Sequence, residues 1–235
     1  MTTILSIHIP KTAGSFFGET LSLSRSQLLF YNYGANSRAT RLIYQGNVVE
    51  FNSHEERIEF FIDKSNMHHN RMSIMHGHFH GRRFLDELPD AKFLFWLREP
   101  AQRLKSHFEF WNRLDYINAH NPKYYEFKSK RLTFLEFATS KEFTNRQSFF
   151  LRDVPSENVL KYGVVEKMRE SMMNFTEILG IDPSIINYSY KNANMNKESF
   201  LYDIPKDDLE KIIVANKEDY SLYKNVLLGK LPKKL

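Results

Sequence analysis

Twice along this chain an apolar run breaks into a short turn holding cationic and hydroxyl groups, then passes into a helical pattern. The first instance is Ile4-Leu5-Ser6-Ile7-His8-Ile9-Pro10-Lys11-Thr12-Ala13-Gly14-Ser15-Phe16-Phe17. The second is Lys92-Phe93-Leu94-Phe95-Trp96-Leu97-Arg98-Glu99-Pro100, followed by Ala101-Gln102-Arg103-Leu104-Lys105-Ser106-His107-Phe108. A strand–turn–helix of this kind aims backbone N–H groups and the positive end of a helix at one point, where a phosphate or sulfate can sit. Two such turns imply a ligand with two separate anionic groups.

Short apolar runs at 4–9, 73–75, 93–97 and 162–165 read as strands buried on both faces. Helical patterns fall between and after them, at 15–23, 55–64, 82–88, 101–114, 133–139, 166–179 and 206–224. Pro100 suits a first helical turn, and Gly180 suits a helix end ahead of Asp182-Pro183. Strands alternating with helices predict an α/β fold: a P-loop-like, open, mostly parallel central sheet flanked by helices. Ligands of such sheets bind beyond the carboxyl ends of the strands, where both turns would lie. Segments 27–33 and 41–51 read as irregular or hairpin insertions, and 116–131 as a polar, aromatic loop; these are expected to shape the acceptor side.

A chain of 235 residues, 42% hydrophobic and 26% charged, is expected to form a single domain, 1–235, around a real core. Twenty Phe and twelve Tyr make that core bulky. The formal charge of +5 favours an anionic partner or reflects surplus surface lysine. Without cysteine the chain has neither disulfides nor thiolate metal sites. No apolar run approaches the ~18 residues of a membrane span, and the N-terminus lacks a leader pattern, so a cytoplasmic protein is expected.

The first turn departs from the P-loop of ATP-dependent kinases. That loop ends in Gly-Lys-Ser/Thr, whereas here Lys11 comes early and Gly14 precedes Ser15. The second apolar run ends in Arg98, where a P-loop enzyme would often present a metal-binding aspartate. Lys and Arg without an acidic metal ligand suit transfer of a less charged group than phosphoryl, with no metal required. Sulfuryl transfer is the leading reading.

Pro10-Lys11-Thr12-Ala13-Gly14-Ser15 resembles the 5′-phosphosulfate loop of sulfotransferases that use 3′-phosphoadenosine 5′-phosphosulfate (PAPS). The segment from Arg98 to Phe108 resembles their 3′-phosphate motif. Within that superfamily Met75-His76-Gly77-His78-Phe79 is similar to a segment of the uronyl and heparan sulfate 2-O-sulfotransferases, and Gln147-Ser148-Phe149-Phe150 is a weaker match. Those are longer, membrane-anchored enzymes, so the resemblance is to a compact bacterial-type relative. It implies a sulfotransferase fold, PAPS as co-substrate, and a hydroxyl acceptor of carbohydrate or glycoconjugate type, anionic or neutral.

The resemblance assigns Lys11 to the bridging and 5′-phosphate oxygens. Thr12, Ala13, Gly14, Ser15 and Phe16, after Pro10, would supply N–H and hydroxyl donors, with helix capping an alternative for the hydroxyls. Arg98 and Ser106 would take the 3′-phosphate, with Arg103 either assisting or pairing with a carboxylate. Glu99 would orient an arginine or cap the helix. His78 is the expected general base, since an imidazole with a pKa near ~6.5 can take a hydroxyl proton at neutral pH. His76, two residues earlier, would share its side in an extended segment. A zinc reading of these histidines is set aside, because no further ligand stands at metal spacing. Asn196 and Lys197 fall where the family closes a loop over the nucleotide, or lie in a plain surface loop. His80, Arg82, Arg83, Arg113, Lys123 and Arg131 either face an acidic acceptor or are solvated. Two rival readings remain: an ATP-dependent phosphotransferase, and a non-catalytic nucleotide-binding module on the same fold. No nucleic-acid-reading motif is present.

Overall fold

The computed structural model describes residues 3–67, 71–114, 122–188 and 204–235. One seven-stranded sheet runs through it, in the order β4-β3-β2-β5-β1-β6-β7. Its strands are β1 (Thr3–Ile7), β2 (Leu28–Asn32), β3 (Arg41–Tyr44), β4 (Asn47–Val49), β5 (Ser73–Gly77), β6 (Lys92–Leu97) and β7 (Val159–Val164). β2, β5, β1, β6 and β7 pair in parallel; β3 and β4 add an antiparallel hairpin at one edge. This is the expected α/β architecture.

Alternation along the strands divides the core into two layers. Leu5, Ile7, Phe30, Met75, Phe93 and Phe95 face one side, packed with Phe61 of α2 (His54–Met67) and with Leu222 and Val226 of α9 (Lys217–Leu227). Ile4, Leu29, Tyr31, Ile74, Leu94 and Trp96 face the other. There they meet Phe17 and Leu21 of α1 (Gly14–Leu21), and Met172, Phe175 and Leu179 of α7 (Met168–Leu179). A third cluster joins α3 (Pro100–Arg113), α4 (Pro122–Lys130), α5 (Phe134–Thr139) and α8 (Lys206–Ala215) around Trp111, Phe127, Phe137 and Phe143. Burying each such large side chain contributes about 1.5–3 kcal/mol, so all three clusters hold the loops at the sheet edge rigidly.

Several elements differ from the sequence pattern. Residues 28–32 are a fully buried strand of the parallel sheet, not an insertion, and the uninterrupted run Leu28-Leu29-Phe30-Tyr31 carries that signal. Segment 41–49 is a hairpin whose turn, Gln45-Gly46, has φ of 51° and 83°. The helix expected over 82–88 is a short 3-10 turn, Gly81–Phe84. The one expected over 206–224 is two helices, α8 and α9, broken at Asn216. That buried amide donates to the carbonyls of Ala138 and Ile212, and its oxygen accepts from the Asn145 N–H, tying the break to α5 and to the start of α6 (Arg146–Leu151). Segment 116–131, read as a loop, contains α4. Gly180 ends α7 with φ of 63°, as its position predicts. No described helix is long and apolar enough to cross a membrane.

Candidate active site

β1 lies between β5 and β6, so the loops leaving these three strands emerge side by side at one edge. The loop after β1 carries Pro10 to Ala13, the loop after β5 carries His78, and the turn after β6 carries Arg98 and Glu99. Together with α3 they wall a cavity of about 810 Å³, lined by Pro10, Lys11, Ala13, Gly14, Ser15, Phe16, His78, Arg98 and Ser106 among others. Five cations, Lys11, Arg98, Arg103, Lys123 and Arg146, stand in its walls against the carboxylates of Glu19 and Glu142. Such an excess of positive charge in a concave wall attracts an anion.

The loop after β1 has an unusual backbone. Lys11 and Ala13 both adopt left-handed conformations, with φ of 71° and 64°. A non-glycine residue in this region is strained, and alternating hands turn successive N–H groups inward into an anion-binding concavity. The first i→i−4 bond of α1 is Phe17 N–H to Ala13 O at 3.0 Å. The N–H groups of Ala13, Gly14, Ser15 and Phe16 have no acceptor among the described residues, and no side chain caps the helix. Thr12 is fully buried and its hydroxyl donates to Ile9 O at 2.9 Å, so it braces the loop from inside. Neither Thr12 nor Ser15 takes the capping role. Gly14 is required by close approach: a Cβ there would stand 1.8 Å from His8 Cδ2.

The second turn is built from the other side. Glu99 caps α3, accepting the Gln102 N–H at 2.7 Å, with Pro100 in the first turn. Gln147 clamps the backbone of Arg98: its Oε1 accepts the Arg98 N–H and its Nε2 donates to the Arg98 carbonyl, both at 2.9 Å. Arg98 Nη1 reaches the carbonyl of Lys11 at 3.5 Å, joining the two turns. On α3, Arg103, Ser106, His107 and Phe110 line the cavity at the three- and four-residue spacing of one helix face. Arg103 is fully buried. Its Nη2 donates to Phe143 O at 2.9 Å, while Nε and Nη1 are buried without an acceptor among the described residues, as is Nε of Arg98. Desolvation lowers the Arg103 pKa to about 10, against the raising influence of Asp219, so it remains charged at neutral pH. No carboxylate pairs with it within ion-pair distance among the described residues. Leaving a buried donor unsatisfied costs about 1–3 kcal/mol, so anion oxygens fit this cradle chemically.

The histidines form the third part. His78 Nδ1–H donates to the carbonyl of His8 at 2.6 Å, which leaves the Nε2 lone pair unprotonated. The ring is open to the cavity, yet the protein walls desolvate it and lower its pKa below the ordinary histidine value; the bond to His8 opposes this. His76 sits behind the cavity. Its Nε2–H donates to Gly14 O at 3.1 Å and its Nδ1 accepts from the Ser6 hydroxyl at 2.8 Å, so both ring nitrogens hold structure. Burial lowers its pKa to about 3. His8 was assigned no role from the sequence, yet it lines the cavity, stacks on His76 at 5.2 Å and lies 4.4 Å from the His78 ring. Its Nδ1 shares a 2.9 Å hydrogen bond with the Tyr33 hydroxyl. The available signal was its place, one residue beyond β1. Lys11 Nζ lies 4.2 Å over the Phe110 ring. Lys123 lines the cavity, whereas His80, Arg82, Arg83, Arg113 and Arg131 do not. Asn196 and Lys197 lie outside the described residues.

No protein-family model matches the chain, and no curated protein sequence does. Its fold is similar to that of a sulfotransferase from Alicyclobacillus acidocaldarius, with a TM-score of 0.50 and 13% identity, covering 99% of this chain and 97% of that one. Mouse sulfotransferase SULT7A1, solved with PAP (3′-phosphoadenosine 5′-phosphate), is a looser match: TM-score 0.37, 14% identity, 92% of this chain. This chain spans 66% of the mouse protein's length. The architecture is therefore a sulfotransferase fold.

Proposed function

We propose that this protein transfers a sulfuryl group from PAPS to a hydroxyl acceptor of carbohydrate or glycoconjugate type. The observation that carries this reading is the meeting, in one cavity, of two separate anion cradles with the His78 imidazole, whose Nε2 is left unprotonated. PAPS supplies an activated sulfuryl group joined to its 5′-phosphate. The amides of Ala13 to Phe16, with Lys11, would hold that phosphate and meet the charge that grows on it as the bridging S–O bond breaks. Arg98, Arg103 and Ser106 would hold the 3′-phosphate, which ATP lacks. His78 would accept the acceptor's hydroxyl proton at Nε2 as the new O–S bond forms. His76 and His8 would act as positioning residues, one fixing Gly14 and the other the tautomer of His78.

Titration calorimetry with PAP and with ATP tests the donor assignment. PAP is expected to bind the more tightly, and Arg98→Ala to weaken it by about tenfold or more, through charge-assisted bonds worth about 1.5–3 kcal/mol each. Equal affinity for the two nucleotides, or an Arg98→Ala protein that binds PAP as wild type does, would refute it.

A further inference from the structure

We infer that a second, smaller cavity beside His78 is the acceptor subsite, and that Arg41 selects there a small hydroxyl compound bearing an anionic group. This rests on the donor reading above. The cavity encloses about 340 Å³ and shares His8, Ser15, Glu19 and His78 with the larger one, so the His78 ring faces both. One wall is α1, which presents Ser15, Gly18, Glu19 and Ser22 at helical spacing. Gly18 lets this wall pack closely on the buried His76: a Cβ there would stand 2.9 Å from His76 Nε2. The opposite wall is Tyr31 and Tyr33, leading to Arg41 on the neighbouring strand.

The polar ends of both tyrosines are already committed, Tyr31 to the carbonyl of Gly18 at 2.8 Å and Tyr33 to His8 at 2.9 Å. The Tyr33 ring, only partly buried, therefore offers hydrocarbon surface, as a sugar or aromatic ring needs, while the buried Tyr31 backs the wall. Arg41 sits directly across the ladder from Tyr31, its guanidinium 4.4 Å over that ring. Contact with the ring and hydroxyl of Tyr31 holds the guanidinium at the cavity wall, and Arg41 forms no ion pair among the described residues. A guanidinium fork matches a carboxylate or phosphate monoester in bidentate fashion. A volume of about 340 Å³ limits the enclosed part of the acceptor to roughly one or two rings, at the small end of ligand pockets. With its anionic end on Arg41, the acceptor would place a hydroxyl at the shared wall. There its proton passes to His78 Nε2, its oxygen bonds to sulfur, and PAP leaves with the electrons of the old S–O bond.

The test uses matched acceptors with PAPS as donor: 4-(hydroxymethyl)benzoate against 4-methylbenzyl alcohol for a carboxylate, and glucose 6-phosphate against glucose for a phosphate. The anionic member of at least one pair is expected to show about tenfold or higher kcat/KM, the scale of one charge-assisted bond. Arg41→Gln should bring that ratio close to one, and Arg41→Lys, which keeps charge without the fork, should retain part of it. PAP affinity, measured by calorimetry on each protein, reads the donor site separately. If PAP binds but the ratio survives Arg41→Gln, or the neutral members are preferred, or no member of either pair is sulfated, the subsite assignment is overturned while the donor reading stands. Failure of the wild-type protein to bind PAP overturns the donor reading itself.

Discussion

Exchange of His76 for asparagine removes a titratable ring from a place where burial keeps it neutral at ordinary pH, and the consequence can be worked out in sign and size. The ring is buried, donates to Gly14 O and accepts from Ser6, and its folded pKa is about 3 against an ordinary 6.5. A depressed folded value means that the unfolded chain binds the proton first. The stability contributed by neutral His76 is complete above pH 6.5 and drains away as the pH falls through the window from 6.5 to about 3. The slope there is about 1.4 kcal/mol per pH unit, so the wild type should lose about 2 kcal/mol between pH 7 and pH 5 from this residue alone. His76→Asn lacks that loss but has a standing cost of about 1–3 kcal/mol at pH 7, from a buried carbonyl left without its donor. Urea unfolding of both proteins at pH 7, 6 and 5 should show the variant less stable at pH 7 and the gap narrowing by about 2 kcal/mol at pH 5. His107, whose pKa burial also lowers, and Glu99, whose value burial raises, are common to both proteins and cancel in the difference. His8, lowered by burial and in part by His76 itself, loses less in the variant and narrows the gap in the same direction. A gap that stays constant with pH would refute the buried, neutral assignment.

His78→Ala should reduce kcat by about a hundredfold or more, the usual scale for general-base catalysis, while calorimetry shows PAP affinity unchanged. The acidic limb of kcat/KM against pH should fall below 6.5, because burial depresses the His78 pKa and the free base persists to lower pH; a limb above 6.5 would exclude it. Gly14→Ala drives a methyl group into the His8 ring, 1.8 Å from Cδ2, and should both lower the thermal midpoint and abolish measurable PAP binding. Gln147→Ala removes both bonds that clamp the Arg98 backbone, at about 1 kcal/mol each, and should weaken PAP binding in titrations although Gln147 itself is fully buried.

Of the parallel strands, β1, β5, β6 and β7 were legible as apolar runs between turn residues, whereas β2, with the same signal, was read as an insertion. The two strand–turn–helix units were legible because strand, loop and helix follow in register. Helix ends with side-chain or glycine caps, at Glu99 and Gly180, were legible for the same local reason. What could not be read depends on contacts across the chain. His76 and His78 are two residues apart, and an extended segment would put them on one side. β5 ends at Gly77, however, and beyond it His78 turns into the cavity while His76 stays behind α1. His8 and Gln147 gain their parts only from contacts distant in sequence: the sheet order sets His8 against two histidines about seventy residues away, and the packing of α6 sets Gln147 against Arg98. The left-handed Lys11 and Ala13 carry no compositional signal at all, since glycine would be the ordinary choice there.

The histidine contacts converge on the start of α1. Its first-turn amides face the proposed donor cavity, while Ser15, Gly18, Glu19 and Ser22 line the proposed acceptor cavity, so one rigid helix sets the distance between the two. His76 pins its first residue, Gly14, to β5, and the residue after that strand is His78. That hydrogen bond of 3.1 Å, beside the bond from His78 to His8 O, thus helps to set the spacing between the proposed phosphate loop and the proposed base. Reacting groups must meet at about 3–3.5 Å, and a misplacement of an ångström can cost about a hundredfold in rate. His76→Asn should therefore lower kcat as well as stability, and the loss of kcat should persist at pH values where the folded fraction of variant and wild type is equal. Recovery of full turnover in the folded variant would show that α1 is positioned by its apolar packing on Phe17 and Leu21 alone.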